Sequence, residues 1–133
     1  MARWVCKKLN ASYSEGSEGI GLESGGKLVA GVCYDNWTGR SIMAHLVVEG
    51  RMTPYYLHAI FHYPFTHLGL DKVYCPIVES NKESINLCSK MGFERETTLI
   101  DAHPDGDIHL YSLKRDNCRF TGERYGASRQ ESA

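Results

Sequence analysis

The chain has 133 residues and a mass of 15.0 kDa, the size of one domain with no room for a second. Its 42% hydrophobic and 23% charged residues are those of an ordinary globular protein, and fifteen basic residues against sixteen acidic ones exclude nucleic-acid binding driven by bulk charge. No apolar run approaches the ~20 residues that span a bilayer, and the opening MARWVCKKLNAS lacks a signal-peptide core, so the expected location is the cytoplasm with no membrane partner.

Residues 1–17 form a short N-terminal segment in which Arg3 to Leu9 suit either a brief strand or one helical turn. Ile20 to Glu23 and Lys27 to Tyr34 flank Ser24-Gly25-Gly26, a tight turn in which glycine supplies positive φ. A second turn, Asp35 to Gly39, leads into Ser41 to Glu49, which completes a three-stranded antiparallel meander. Thr53 is placed to cap a helix and Pro54 to open it, because the first helical N–H has no partner to lose. Leu57, Ile60, Phe61, Pro64, Phe65 and Leu68 then share one face, with Gly69 as the stop. Pro64 frees the Ile60 carbonyl and should kink or shorten this helix.

Asp71 to Val78 reads as a mostly buried strand, and Pro76 marks a bulge or a place where ladder pairing stops. Ser80-Asn81-Lys82-Glu83 has the form of a capping box, opening a helix that runs to about Met91 and stops at Gly92. Arg95 to Ala102 and Asp107 to Lys114 make a last hairpin, and residues 116–133 form a polar tail, mobile or loosely docked. The helical crossover between the third and fourth strands demands parallel pairing in an otherwise antiparallel sheet. The expected fold class is α/β (α+β): one domain over residues 1–133, a mixed, mainly antiparallel sheet with a central parallel pair and helices on its faces.

Five cysteines (Cys6, Cys33, Cys75, Cys88 and Cys118) are spread without a CxxC pair, which argues for free thiols. His58 and His62 are spaced i,i+4, but no glutamate stands between them to complete an HExxH site, so no metal is expected. The arginines of the tail (Arg115, Arg119, Arg124 and Arg129) alternate with Asp116, Glu123 and Glu131, and give no basic field for nucleic acid.

The element order, together with the run Asn81-Lys82-Glu83-Ser84-Ile85-Asn86-Leu87-Cys88-Ser89-Lys90-Met91-Gly92-Phe93, resembles the GNAT superfamily of N-acetyltransferases over roughly residues 18 to 115. Tyr63-Pro64-Phe65, Leu68-Gly69, Pro104-Asp105-Gly106-Asp107 and Asn117-Cys118-Arg119 make it most similar to short members encoded by bacteriophages and prophages. The resemblance implies acetyl-coenzyme A as cosubstrate and direct attack of an amine on its thioester in a ternary complex. The acceptor amine, on a protein or a small molecule, is not identified by it. A homodimer is compatible with the sequence.

The resemblance places the pantetheine arm between the strands Ser41 to Glu49 and Lys72 to Val78, paired with the backbone of Leu46, Val47 and Val48. It places the pyrophosphate at Gly50, Arg51, Met52 and Thr53, where this chain has one glycine instead of the usual two. Backbone N–H groups, the helix dipole and the Arg51 cation can still favour an anion there. Asn81 corresponds to a coenzyme-binding asparagine and equally suits a plain helix cap. Cys88 stands where many members have a tyrosine that protonates the departing thiolate; it is either that acid or a buried packing residue. His45, on one strand face with Met43, Val47 and Glu49, is either the base for the acceptor ammonium or a core histidine. Glu49 is the reserve base. Trp37, Tyr55 and Tyr56 fit an acceptor pocket or ordinary packing. The missing glycine, the absent tyrosine and the short N-terminal region make a catalytically inactive GNAT-fold binding or regulatory module the alternative.

Overall fold

The computed structural model describes residues 4–5 and 18–122. Six strands form one sheet in the order β1-β2-β3-β4-β6-β5. β1 (Glu18–Ser24), β2 (Lys27–Asp35) and β3 (Ser41–Val48) make the antiparallel meander. Gly25 and Gly26, at φ 62° and 78°, turn β1 into β2 with the two left-handed residues that such a two-residue hairpin needs. β3 runs parallel to β4 (Lys72–Val78), while β6 (Gly106–Lys114) pairs antiparallel with both β4 and the edge strand β5 (Glu94–His103). The mixed sheet with its central parallel pair is the one expected from the element order.

The crossover from β3 to β4 carries α1 (Pro54–His62), opened by Thr53, whose Oγ1 accepts the Tyr56 N–H at 3.1 Å. The helix was expected to reach Leu68, but its α-helical hydrogen bonding ends at His62 and a π-helical turn, Tyr63–His67, follows. Pro64 is the cause: it brings no N–H to the Ile60 carbonyl, and the hydroxyl of Tyr34 on β2 donates to that oxygen instead. The second helix, α2 (Lys82–Lys90), joins β4 to β5. Its cap is Asn81 and not Ser80, with Asn81 Oδ1 accepting the Ser84 N–H at 3.2 Å.

Alternate residues of the sheet (Val32, Tyr34, Ile42, Ala44, Val73, Cys75, Leu113) and the buried residues of both helices form one core. Tyr56 belongs to it, at 3% exposure, with its hydroxyl donating to the Ile20 carbonyl at 2.8 Å, so packing and not an acceptor pocket explains it. Trp37 is 65% exposed. A smaller cluster of Val5 and Cys33, with Trp4 and Val47 against it, lies on the opposite face. Trp4 and Val5 are helical, and the rest of the 1–17 segment lies outside the described residues. The polar tail is packed at its start, since Phe120 is buried and stacks on Phe61 with ring centroids 5.1 Å apart; residues 123–133 lie outside the description. Among the described residues no helix is long and apolar enough to cross a membrane.

Candidate functional site

β3 and β4 pair at only three positions, Ser41 with Lys72, Ile42 with Val73 and Met43 with Tyr74. Beyond them the two strands part. β3 remains paired to β2 on its other side, and β4 to β6, so both strands keep their shape while the gap between them widens. Pro76 lies two residues past the last paired position and has no N–H to offer a ladder, which is the local reason the pairing stops near it.

The gap is a cavity of about 470 Å³. Ala44 to Leu46 form one wall and Cys75 to Val78 the other; Asn81, Ser84, Leu87 and Cys88 of α2 close one side, and His103 and Ile108 of the last hairpin reach it from the other strands. A second hollow of about 390 Å³ shares Leu46, Asn81, Ser84 and Leu87 with it and adds Val47, Val48, Glu49 and Glu83. Together they make a groove with apolar walls, flanked by the edge of β3 that β4 no longer pairs. An extended ligand with amide groups along it suits such a groove, because the strand edge supplies hydrogen-bonding partners and the walls supply apolar contact.

The sequence-predicted residues fall on this groove unevenly. Leu46, Val47, Val48 and Asn81 line it. Asn81 spends its Oδ1 on the cap, while its Nδ2 has no partner among the described residues. The segment from Gly50 to Thr53 joins β3 to α1, but Gly50 does not face an anion with its backbone. Its N–H donates to the Val29 carbonyl at 3.0 Å, as does that of Glu49 at 2.7 Å. Glycine is needed there for close approach, since a Cβ would stand 2.8 Å from the Val29 Cβ. Pro54 has no N–H, and that of Tyr56 is held by Thr53. The N–H groups of Arg51, Met52 and Thr53 have no protein acceptor among the described residues, and these are the donors left at the helix start.

Cys88 lines the cavity at 4% exposure, as does its neighbour Cys75 at 5%. Interaction with the Cys88 thiol, together with burial, pushes the Cys75 thiol well above its ordinary range, so Cys75 stays protonated. Glu49 lines the outer hollow and not the inner cavity. His45 lines the inner cavity, and its Nε2 meets the Asp35 carboxylate at 3.1 and 3.2 Å. The structure therefore brings together two residues that the sequence reading passed over, Asp35 and His103. Asp35 was not within reach of the turn reading: a hairpin closing directly on a turn over residues 36–40 would set Cys33 opposite Met43, whereas the observed register sets Cys33 opposite His45 and Asp35 opposite Met43, one diagonal step from His45 on the same face. His103 had no signal either, because its approach depends on the last hairpin. Among the described residues no group of three or more His, Cys, Asp or Glu is placed to hold a metal ion.

No family model and no curated protein sequence matches the chain. Solved structures do. The spermidine N-acetyltransferase SpeG F149A mutant from Vibrio cholerae superimposes with a TM-score of 0.67 at 17% identity, covering 91% of this chain and 76% of that one. A structure from T. thermophilus described as an acetyltransferase gives 0.69 at 16% identity, covering 86% and 68%. The fold is that of the GNAT acetyltransferases. A SpeG chimera with hSSAT gives 0.64 at 16% identity over 90% of this chain and 77% of its own. At such identities the likeness is one of GNAT architecture, and residue roles have to be argued from this chain's own geometry.

Proposed function

We propose that this protein is an N-acyltransferase that moves an acetyl group from acetyl-coenzyme A to an amine. The observation that carries the reading is the parting of β3 and β4 beyond Met43 and Tyr74, with an imidazole on one wall and a capped helix start at the end of β3. The backbone edge of Leu46 to Val48 and the Nδ2 of Asn81 hold the pantetheine arm. The free N–H groups of Arg51, Met52 and Thr53, with the Arg51 guanidinium, take the pyrophosphate. His45 removes a proton from the acceptor ammonium, with Glu49 in reserve, and Cys88 gives a proton to the departing thiolate. The bond from the amine nitrogen to the acetyl carbon forms as the carbon–sulfur bond breaks.

The SpeG proteins act on spermidine, which makes a polyamine the first acceptor to try here. On the resemblance of its short motifs we read the chain as a cytoplasmic protein of bacteriophage or prophage origin. A non-catalytic GNAT-fold module is the second reading, favoured by the Gly50 N–H being diverted to Val29.

Acetyl-coenzyme A at ~100 times its Kd should stabilise the native state by about 2.7 kcal/mol, a rise of several degrees in Tm for a chain of this size. Turnover is then sought with spermidine and other amines by following free thiol release. No thermal shift with millimolar acetyl-coenzyme A or coenzyme A refutes the reading. A shift without turnover on any amine selects the non-catalytic module.

A further inference from the structure

His45 gives only one of its ring nitrogens to a protein partner. Nε2 lies 3.2 Å from Oδ1 and 3.1 Å from Oδ2 of Asp35, and Nδ1 has no partner among the described residues. The pairing is a product of the β2–β3 register, which sets Cys33 opposite His45 and Asp35 opposite Met43. Imidazole and carboxylate are therefore diagonal neighbours on the face away from α1 and α2. Both side chains are about three-quarters covered, at 25% and 29% exposure, so their contact is not dissolved in bulk water.

The carboxylate is itself held. Asn36, in a left-handed conformation at φ 52°, donates from Nδ2 to Asp35 Oδ1 at 3.2 Å, with Met43 Sδ 3.3 Å from the same nitrogen. The turn that reverses the chain from β2 to β3 thus fixes Asp35 from behind while Asp35 fixes His45. An ionised carboxylate can only accept hydrogen bonds, so a neutral imidazole facing it must carry its proton on Nε2. Nδ1 is then the nitrogen with the lone pair.

We propose that Asp35 is a positioning residue for the base. It selects the Nε2–H tautomer of His45, leaves Nδ1 to receive the proton of the acceptor ammonium, and stabilises the imidazolium that results. One proton moves, from the amine nitrogen to Nδ1; Asp35 stays ionised and the amine gains the lone pair it needs. The amine as proton source rests on the acyltransferase reading above, whereas the tautomer does not. The other groups around His45 do not compete for the task. Cys75 and Cys88 are buried free thiols that interact with each other, and His103 has its Nδ1 committed to the Asp105 N–H at 3.0 Å. Cys33, opposite in register, is buried.

The test uses the ¹⁵N-labelled full chain, with the ring nitrogens of His45 assigned by long-range ¹H–¹⁵N correlation at pH 8. The expected result is a protonated Nε2 and a bare Nδ1. In Asp35→Asn the amide can turn its NH₂ towards Nε2, so the tautomer should become mixed or inverted. In the same variant kcat/KM should fall about 10- to 100-fold, with acetyl-coenzyme A affinity held within about twofold. Asn36→Gly, which suits the left-handed turn, removes the Nδ2 donor; it should keep the tautomer and lower turnover only about threefold. A proton on Nδ1 in the wild type overturns the proposal, as does an Asp35→Asn variant whose tautomer changes while its turnover does not. If Asp35→Asn fails to fold, the wild-type tautomer and the Asn36→Gly turnover decide. Absence of acetyl-coenzyme A binding by the wild type overturns the acyltransferase reading separately, whatever the tautomer.

Discussion

The contact between Tyr34 and Ile60 can be tested as a replacement for a hydrogen bond that Pro64 removes. In Tyr34→Phe the ring stays, and with it the packing against Tyr63 at a centroid distance of 5.1 Å. What goes is the hydroxyl, leaving the Ile60 carbonyl in a core where Tyr34, Ile60 and Phe61 are each under 5% exposed. Burial holds the Tyr34 phenol well above its usual 10.0, so at neutral pH the group is an O–H donor and the loss is that of a neutral hydrogen bond. An orphaned buried carbonyl costs about 1–3 kcal/mol, or roughly 3–10 °C in Tm for a domain of this size. Pro64→Ala restores an N–H four residues after Ile60 and lets the α-helix continue, at a separate cost for shrinking a fully buried side chain. In that background Tyr34→Phe should cost less than about 0.5 kcal/mol, a coupling of at least about 0.5 kcal/mol between residues 34 and 64. Urea unfolding of the four proteins, followed by circular dichroism, supplies all the numbers. If Tyr34→Phe costs the same with and without Pro64, the hydroxyl does not stand in for the missing N–H and the account of the π-helical turn is wrong.

Asn81→Ala should lose about 1 kcal/mol of stability with the cap and weaken acetyl-coenzyme A binding at least about fivefold with the loss of Nδ2. Asn81→Ser should restore the stability and not the affinity, and full recovery of both would reduce Asn81 to a cap. Cys88→Ala should lower kcat about 100-fold at unchanged coenzyme affinity; unchanged turnover makes Cys88 a packing residue beside Cys75. Tyr34 and Tyr56 are both raised above 10.0 in the folded state, chiefly by burial, so the unfolded chain loses these protons first as pH rises. Stability should hold below pH 10 and then fall by up to about 1.4 kcal/mol per pH unit for each tyrosine. Chemical denaturation at pH 9 and pH 11 measures the fall, and a Tyr34→Phe, Tyr56→Phe double variant with the same fall contradicts it.

The legible parts of this fold are those whose signal lies within a few residues of its effect. Gly25-Gly26 announces its hairpin, Thr53-Pro54 its helix start, and Pro76 a break in pairing, because a cap, a turn or a missing N–H acts on its own neighbourhood. The element order follows from these marks, and the parallel pair follows from the crossover. Pro64 is legible as a disturbance and not as a solution, since the donor that answers it, the Tyr34 hydroxyl on β2, sits 26 residues before the Ile60 carbonyl. The family resemblance places a pyrophosphate loop at Gly50, with helix-start N–H groups as the anion donors. The operative reason for glycine there, the closeness of Val29, exists only once β2 lies beside β3.

The same division runs through the site. The catalytic and coenzyme candidates that the sequence supplied were each read within one segment: β3, the connection from β3 to α1, or α2 with its cap. What surrounds those residues is set between segments: Asp35 meets His45 across one strand pair, and Cys75 of β4 interacts with Cys88 of α2. The groove itself is an interrupted pairing, three residue pairs long, between strands that are each secured on their far sides. Continuous pairing of β3 with β4 would satisfy the backbone of Leu46 to Val48 internally and leave nothing for a ligand to take. Stopping it at Met43 leaves that edge for a ligand and brings the His45 imidazole to the same opening. The open strand edge and the imidazole beside it are therefore consequences of one break in the sheet, placed where Pro76 cannot continue the ladder and where the turn after Asp35 has already set the register of His45.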